Sequence, residues 1–272
     1  MSRINNKIWL VESFSWKNPH PAWVCPICNT GTLKGDKKTI QIEQSQDTLK
    51  ARRSHNYQAD GEAAFRFAGF MVCGNGHCKE KIAIAGNGKL YAAANDVPVS
   101  IHYKGERYSV FYPRYFEPPL NIFPIYDSCP IKIQEQIKVS FTHYFNDLSA
   151  SANSIRTALE LIMDDQRVNK TKTSKKGERI KLTLHARISY FGQKYPDLKP
   201  FLIATKWIGN AGSHVGDVSK EDLLDGYDLL QHCIEELYDK PVRLKELSTK
   251  AKSINKMKKP RSSKKKITGH NK

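Results

Sequence analysis

The spacing of apolar positions changes character near Pro130. Before it, apolar and aromatic residues come in short runs bounded by Gly, Asn and Pro. Ala22-Trp-Val-Cys25-Pro-Ile-Cys28 is an extended run entering a tight turn, and Phe65-Arg-Phe-Ala-Gly-Phe-Met-Val-Cys73 predicts a strand. Lys81-Ile-Ala-Ile-Ala, Gly86-Asn-Gly and Lys89-Leu-Tyr read as a hairpin, and another is expected over 101–110. The stretch from Glu43 to Glu62 is polar and reads as an inserted loop. Pro113, Pro118, Pro119 and Pro124 remove backbone donors, so residues 113–129 read as an extended linker.

After Pro130 the period becomes helical. Ile133, Ile137, Phe141 and Tyr144 fit a helix over about 130–147. Ser149 or Ser151 can cap a second helix with Ile155, Leu159, Ile162 and Met163 as its stripe. The polar, basic segment from Asn169 to Gly177 reads as a loop. Ile180, Leu182, Leu184, Ile188 and Phe191 suggest a third helix stopped at Gly192, and Leu198 to Ala211 a fourth. Ser219 caps a fifth, whose stripe runs through Leu223, Tyr227, Leu230 and Ile234. The expected fold is α+β. Residues 1–112 form a small β-rich unit, 113–129 the linker, 130–242 an all-α bundle and 243–272 a tail.

Charge sharpens the picture at the tail. The chain of 272 residues carries a formal net charge of +17. Between Arg243 and Lys272 there are 12 Lys and Arg against Glu246 alone, so this stretch is expected to be disordered and to attract polyanions. A solubilising role is the plainer alternative. No apolar run approaches the roughly 18 residues that span a bilayer. The first residues lack the pattern of a signal peptide, so a cytoplasmic protein with no membrane partner is expected. Its six cysteines are then thiols or metal ligands rather than disulfides.

Four of them form two pairs, Cys25-x2-Cys28 and Cys73-x4-Cys78. Short spacing lets both sulfurs of a pair face one tetrahedral Zn²⁺. This zinc-ribbon-like arrangement predicts a structural zinc, since four protein ligands leave no open position for a metal-bound water. His77 competes with Cys78 for the fourth place. Cys129 and Cys233 read as ordinary apolar positions.

The most pointed segment of the helical part is Lys206-Trp-Ile-Gly209-Asn210-Ala-Gly-Ser-His214. Asn210 and His214 stand at i and i+4, one face of a helix, and Gly209 and Gly212 permit close approach of another backbone. Arg156 and Glu160 are likewise at i and i+4 on the second helix. Each has a structural alternative: an interhelical hydrogen bond for Asn210, a helix-end charge for His214, a salt bridge for Arg156 with Glu160, and a core position for Trp207.

The run Ser154-Ile-Arg156-Thr-Ala-Leu-Glu160, followed by Gly209-Asn210-Ala-Gly-Ser-His214, resembles the family called domain of unknown function 4145. The resemblance implies a HEPN-like helical bundle after a cysteine knuckle, usually paired as a homodimer. It further implies bacterial defence and metal-independent RNA cleavage. In that chemistry a His acts as general acid or base and an Arg steadies the phosphorane charge. Asn210 and His214 match the Arg-Asn-x-x-x-His pattern usual in active HEPN ribonucleases, whereas Gly209 stands where the Arg belongs; Lys206 or Arg156 is then the candidate cation. Two functions follow as expectations. One is a possible endoribonuclease or RNA-binding protein. The other is a non-catalytic dimerising module with a structural zinc and a protein effector as partner.

Overall fold

The computed structural model describes residues 4–16, 21–53, 63–91, 108–212 and 218–257. A short helix α1 (Asn6–Trp9) opens the chain. Strands β1 (Leu33–Gly35), β2 (Gln41–Gln44), β3 (Ala63–Cys73), β4 (Lys81–Tyr91) and β5 (Tyr108–Glu117) form one antiparallel sheet, with helix α2 (Gln46–Arg53) between β2 and β3. β3 alternates strictly: Phe65, Phe67, Met71 and Cys73 point into the core while Arg66, Ala68 and Phe70 point out. β1 pairs its Cys73 end and β2 its Phe65 end, and β4 and β5 follow in order.

Three expectations for this half are corrected. The hairpin proposed at Gly86-Asn-Gly is continuous strand with a bulge between Ala85 and Gly86. Its glycines answer to sterics rather than to a turn. A Cβ at Gly86 would overlap the Tyr112 carbonyl oxygen, and one at Gly88 would overlap the Phe65 ring. The supposed loop from Glu43 holds the end of β2 and all of α2; residues 54–62 lie outside the described residues. The linker 113–129 begins as strand β5. It continues with Leu120, Ile122 and Phe123, all buried in one core that runs from the sheet into the helices. Pro113 is tolerated at the edge of the sheet, where its missing N–H leaves no ladder bond unmade. Of the hairpin expected over 101–110, residues 101–107 lie outside the described residues.

The helical half comprises α3 (Ile131–His143), α4 (Leu148–Asp165), a hairpin β6–β7 (Thr171–Thr173, Arg179–Lys181), α5 (Leu184–Lys194), α6 (Lys199–Ala211) and α7 (Lys220–Ile234). α7 passes through a π-helical turn, Glu235–Asp239, into α8 (Lys240–Met257). The cap of α4 is Asp147 rather than a serine, its carboxylate accepting from the Ala150 N–H. Ser219 caps α7 as expected, in a reciprocal pair with Asp222. Ser151 instead is buried with Ser140 and Tyr227, each serine hydroxyl 2.7 Å from the Tyr227 hydroxyl.

Two further readings change here. The third helix starts at Leu184, and Ile180 lies in β7, because Gly177 at φ 83° turns the polar segment back on itself. The tail expected to be disordered from Arg243 is helical through Met257; residues 258–272 lie outside the described residues. Lys, Leu, Glu and Ala favour helix, and α8 grows out of an existing helix, so it needs no new nucleus. Among the described residues no helix is long and apolar enough to cross a membrane.

Candidate metal centre and cationic helix crossing

Cys25 ends an extended segment that bridges Thr32 through Val24, so the chain reverses between Cys25 and Cys28. Cys73 ends β3 and Cys78 precedes β4, so that turn is a strand connection. Asn29 and Lys79, each directly after the second cysteine of its pair, take left-handed backbone at φ 53° and 52°. The two turns are thus similar knuckles facing each other. Cys28 Sγ is 3.5 Å from Cys73 Sγ and Cys25 Sγ 3.9 Å from Cys78 Sγ, and all four sulfurs lie within 4.8 Å of one another. A tetrahedron with metal–sulfur bonds of about 2.3 Å has edges of about 3.8 Å, so the sulfurs fit one ion. The exposed His77 is not part of the group; its backbone N–H donates to Asn75 Oδ1 in the turn.

The surroundings of the four sulfurs differ. The Thr30 hydroxyl and the Gly31 N–H both donate to Cys28 Sγ at 3.4 Å, which holds that thiol down at about 5. Burial pushes Cys73 up to about 12 despite an N–H from Asn75. A cluster with one ready thiolate and one reluctant thiol gains from a cation that holds all four sulfurs. Gly31 makes the approach possible, since a Cβ there would overlap Cys73 Sγ. The knuckle is tied to the rest of the core. Asn121 Nδ2 donates to the Pro26 carbonyl and to Asn29 Oδ1, both at 3.1 Å. Trp23, buried just before Cys25, meets Phe116 at 5.2 Å and Phe145 at 5.9 Å. Cys129 and Cys233 are buried apart from the cluster, as expected of apolar positions.

The second site forms where α6 crosses α4. A Cβ on Gly209 would stand 2.9 Å from the Arg156 Cβ and 3.2 Å from the Ala152 carbonyl oxygen. The glycine therefore lets the helices touch backbone to backbone. That contact brings Arg156 Nη1 to Asn210 Oδ1 at 2.8 Å. Arg156 Nε also faces Glu160 at 3.7 Å, and both side chains remain substantially exposed. Lys206, one turn before Asn210, is buried, with its Nζ 3.1 Å from the centre of the Trp207 ring. Burial, and then the neighbouring charge of Arg156, lower its pKa. Trp207 is 58% exposed, so it is not the core residue expected.

Three of the four candidate catalytic residues, Arg156, Lys206 and Asn210, are therefore brought together. His214 lies outside the described residues. α6 ends at Ala211 with Gly212 as its cap, and the expected i, i+4 pairing of Asn210 with His214 therefore falls outside the described residues. Arg156 also lines a cleft of about 380 Å³ with Glu160, Asp164, Lys170, Lys181 and Arg187. Sequence reasoning did not select the last four. Arg187 is a buried cation whose Nη2 donates to Asp164 Oδ1 at 2.6 Å and to the Val168 carbonyl at 2.9 Å. Its spacing within an otherwise apolar stripe, one residue before Ile188, was the available signal.

Residues 140–257 match the family model described as Domain of unknown function (DUF4145), and residues 12–116 match one described as Domain of unknown function (DUF8608). The first agrees with the resemblance carried by the α4 and α6 segments; the second spans the knuckle and the sheet. No curated protein and no solved structure matches the chain.

Proposed function

We propose that the chain is an RNA-acting HEPN-like protein, a metal-independent endoribonuclease of the cytoplasm in which the four cysteines hold a structural zinc. The observation that carries this reading is the 2.8 Å bond from Arg156 to Asn210. It supplies a guanidinium beside the asparagine although Gly209 carries no side chain. An RNA 2′-hydroxyl attacks the adjacent phosphorus and gives its proton to a base. The 5′-oxygen leaves with a proton, and a 2′,3′-cyclic phosphate remains. His214 moves the proton, Arg156 faces the phosphorane oxygens, and Asn210 orients Arg156. Two copies paired along this face would bring two such sites to one strand. Zinc supplies cohesion, because four thiolates complete its tetrahedron and a unit of this size gains much of its order from the metal.

The test is incubation of the purified protein with single-stranded RNA in EDTA, at a concentration that leaves its zinc content unchanged. Cleavage that disappears in Arg156→Ala and His214→Ala supports the reading; no cleavage under any condition overturns catalysis. One observation favours the alternative of a non-catalytic dimerising module that binds a protein effector. Arg156 is engaged by both Glu160 and Asn210, and Lys206 is covered by Trp207. A dimer in sedimentation together with no RNA affinity at low salt selects that module.

A further inference from the structure

The β6–β7 hairpin separates the Arg156 cleft from a second groove of about 530 Å³, lined on its other side by α5. Between Gln166 and Lys181 the chain carries seven Lys and Arg (Arg167, Lys170, Lys172, Lys175, Lys176, Arg179 and Lys181) against one acid, Glu178. Arg167, Lys172 and Lys194 line the groove, and among the described residues no Asp or Glu does. Tyr190 lines it while remaining 46% exposed. Tyr195 lies on Phe191, ring centres 4.7 Å apart and planes 25° apart, with Lys194 Nζ 4.9 Å from the Tyr195 ring. The half-exposed Tyr190 ring, in a groove lined by three cations and, among the described residues, no acid, matches an unpaired base and its phosphates. A duplex hides its base faces, so rings of this kind do not serve it.

We infer that the groove between the β6–β7 hairpin and α5 binds a single-stranded polynucleotide, stacking a base on Tyr190 and setting phosphates on Arg167, Lys172 and Lys194. This rests on the reading of the chain as acting on nucleic acid, and it places strand binding on the far side of the hairpin from Arg156. Lys181 in the Arg156 cleft continues the positive potential, while Lys170 there is paired with Asp164, so a strand held in the groove can pass over the hairpin into the proposed cleavage site.

The experiment is fluorescence anisotropy of the full chain with labelled 12-nucleotide RNA, the same sequence as DNA, and an RNA duplex, over a salt series. Tyr190→Ala weakens binding of single strands about 5- to 100-fold and leaves duplex binding unchanged. Lys172→Ala lowers the slope of log affinity against log salt by about 0.7. RNA and DNA strands bound alike assign the groove to bases and phosphates; RNA preferred assigns a 2′-hydroxyl contact in addition. Equal single-strand affinity in the parent chain and Tyr190→Ala, tighter binding of duplex, or no binding at low salt overturns the inference. Tyr190 is an exposed side chain, so the variant folds, and an unchanged melting curve verifies it. Arg156→Ala is read in the same assays: lost cleavage with a smaller loss of single-strand affinity than in Tyr190→Ala supports two separate sites, an affinity loss equal to or larger than that of Tyr190→Ala overturns the groove as the strand-binding site, and Tyr190-dependent binding by a parent chain that cleaves nothing overturns the proposed cleavage and leaves the groove standing.

Discussion

Arg156 on α4 and Asn210 on α6, 54 residues apart in sequence, share a 2.8 Å hydrogen bond across the helix crossing. Nη1 donates and the amide oxygen accepts, so the Asn210 amide nitrogen is left pointing away from the guanidinium. Removing one preorganised donor from a charge-stabilising site costs about 10²-fold in turnover. If the chain cleaves RNA as proposed, cleavage by Arg156→Ala is expected to fall by about that factor. Arg156→Lys falls nearly as far, because an ammonium lacks the planar fork. The pair is half-exposed, so the melting temperature should move little. Turnover equal to that of the parent chain would remove Arg156 from the chemistry.

Gly209 stands where the pattern expected of active HEPN ribonucleases has an arginine, and the helix crossing leaves no room for a side chain there. Any Cβ would press on the Arg156 Cβ and the Ala152 carbonyl. Gly209→Arg is therefore expected to destabilise the fold by about 1–3 kcal/mol, read as a lower denaturant midpoint, and to reduce activity rather than restore it. A variant as stable as the parent and more active would show that the crossing yields.

The close approach of the four sulfurs, and with it the proposed zinc site, depends on Gly31. Gly31→Ala places a methyl on Cys73 Sγ, so one knuckle must withdraw from the other. Metal content by atomic emission is expected to fall from one zinc per chain, and the near-ultraviolet signal of Trp23 to change, since that ring links the knuckle to Phe145. Chelators should produce the same spectral change in the parent chain. Full metal content in Gly31→Ala would show that the knuckles can part without losing the ion.

The legible parts of the fold are the local ones. The alternation in β3, the apolar stripes of α4 and α7, the Ser219 cap and the two cysteine pairs all lie within a few residues of each other. The β6–β7 hairpin, the Asp147 cap and α8 are local and escaped behind polar or basic composition, whereas the other misses depend on partners distant in sequence. Gly86 and Gly88 read as a turn because the atoms that exclude their Cβ belong to Tyr112 and Phe65. The apolar residues after Pro119 read as a linker because the sheet and the helices they join are far apart in the chain. At the helix crossing the sequence offers Arg156, Lys206 and Asn210 as separate candidates. Only the close contact allowed by Gly209 makes them neighbours, and the exposure of Trp207 over Lys206 has no signature in an apolar stripe.

In the cleft that Arg156 lines, Arg187 is buried, and its charge is balanced by Asp164, which also meets Lys170 at 2.7 Å. Partial burial works against the Asp164 carboxylate, but the hydrogen bonds and charges of Lys170 and Arg187 outweigh it, so its pKa is lowered in the folded chain. The sign follows from linkage. A carboxyl whose folded pKa lies below its unfolded value of about 3.9 contributes stability above that pH, and the contribution is lost as pH falls through the folded value. Asp164→Asn should therefore cost about 1.5–3 kcal/mol at neutral pH, through a buried guanidinium left without its counter-charge, and progressively less below pH 4. Urea unfolding of both proteins between pH 3 and pH 7 reads the difference. A gap that stays constant with pH, or widens in acid, would show that Asp164 acts through shape and not through charge.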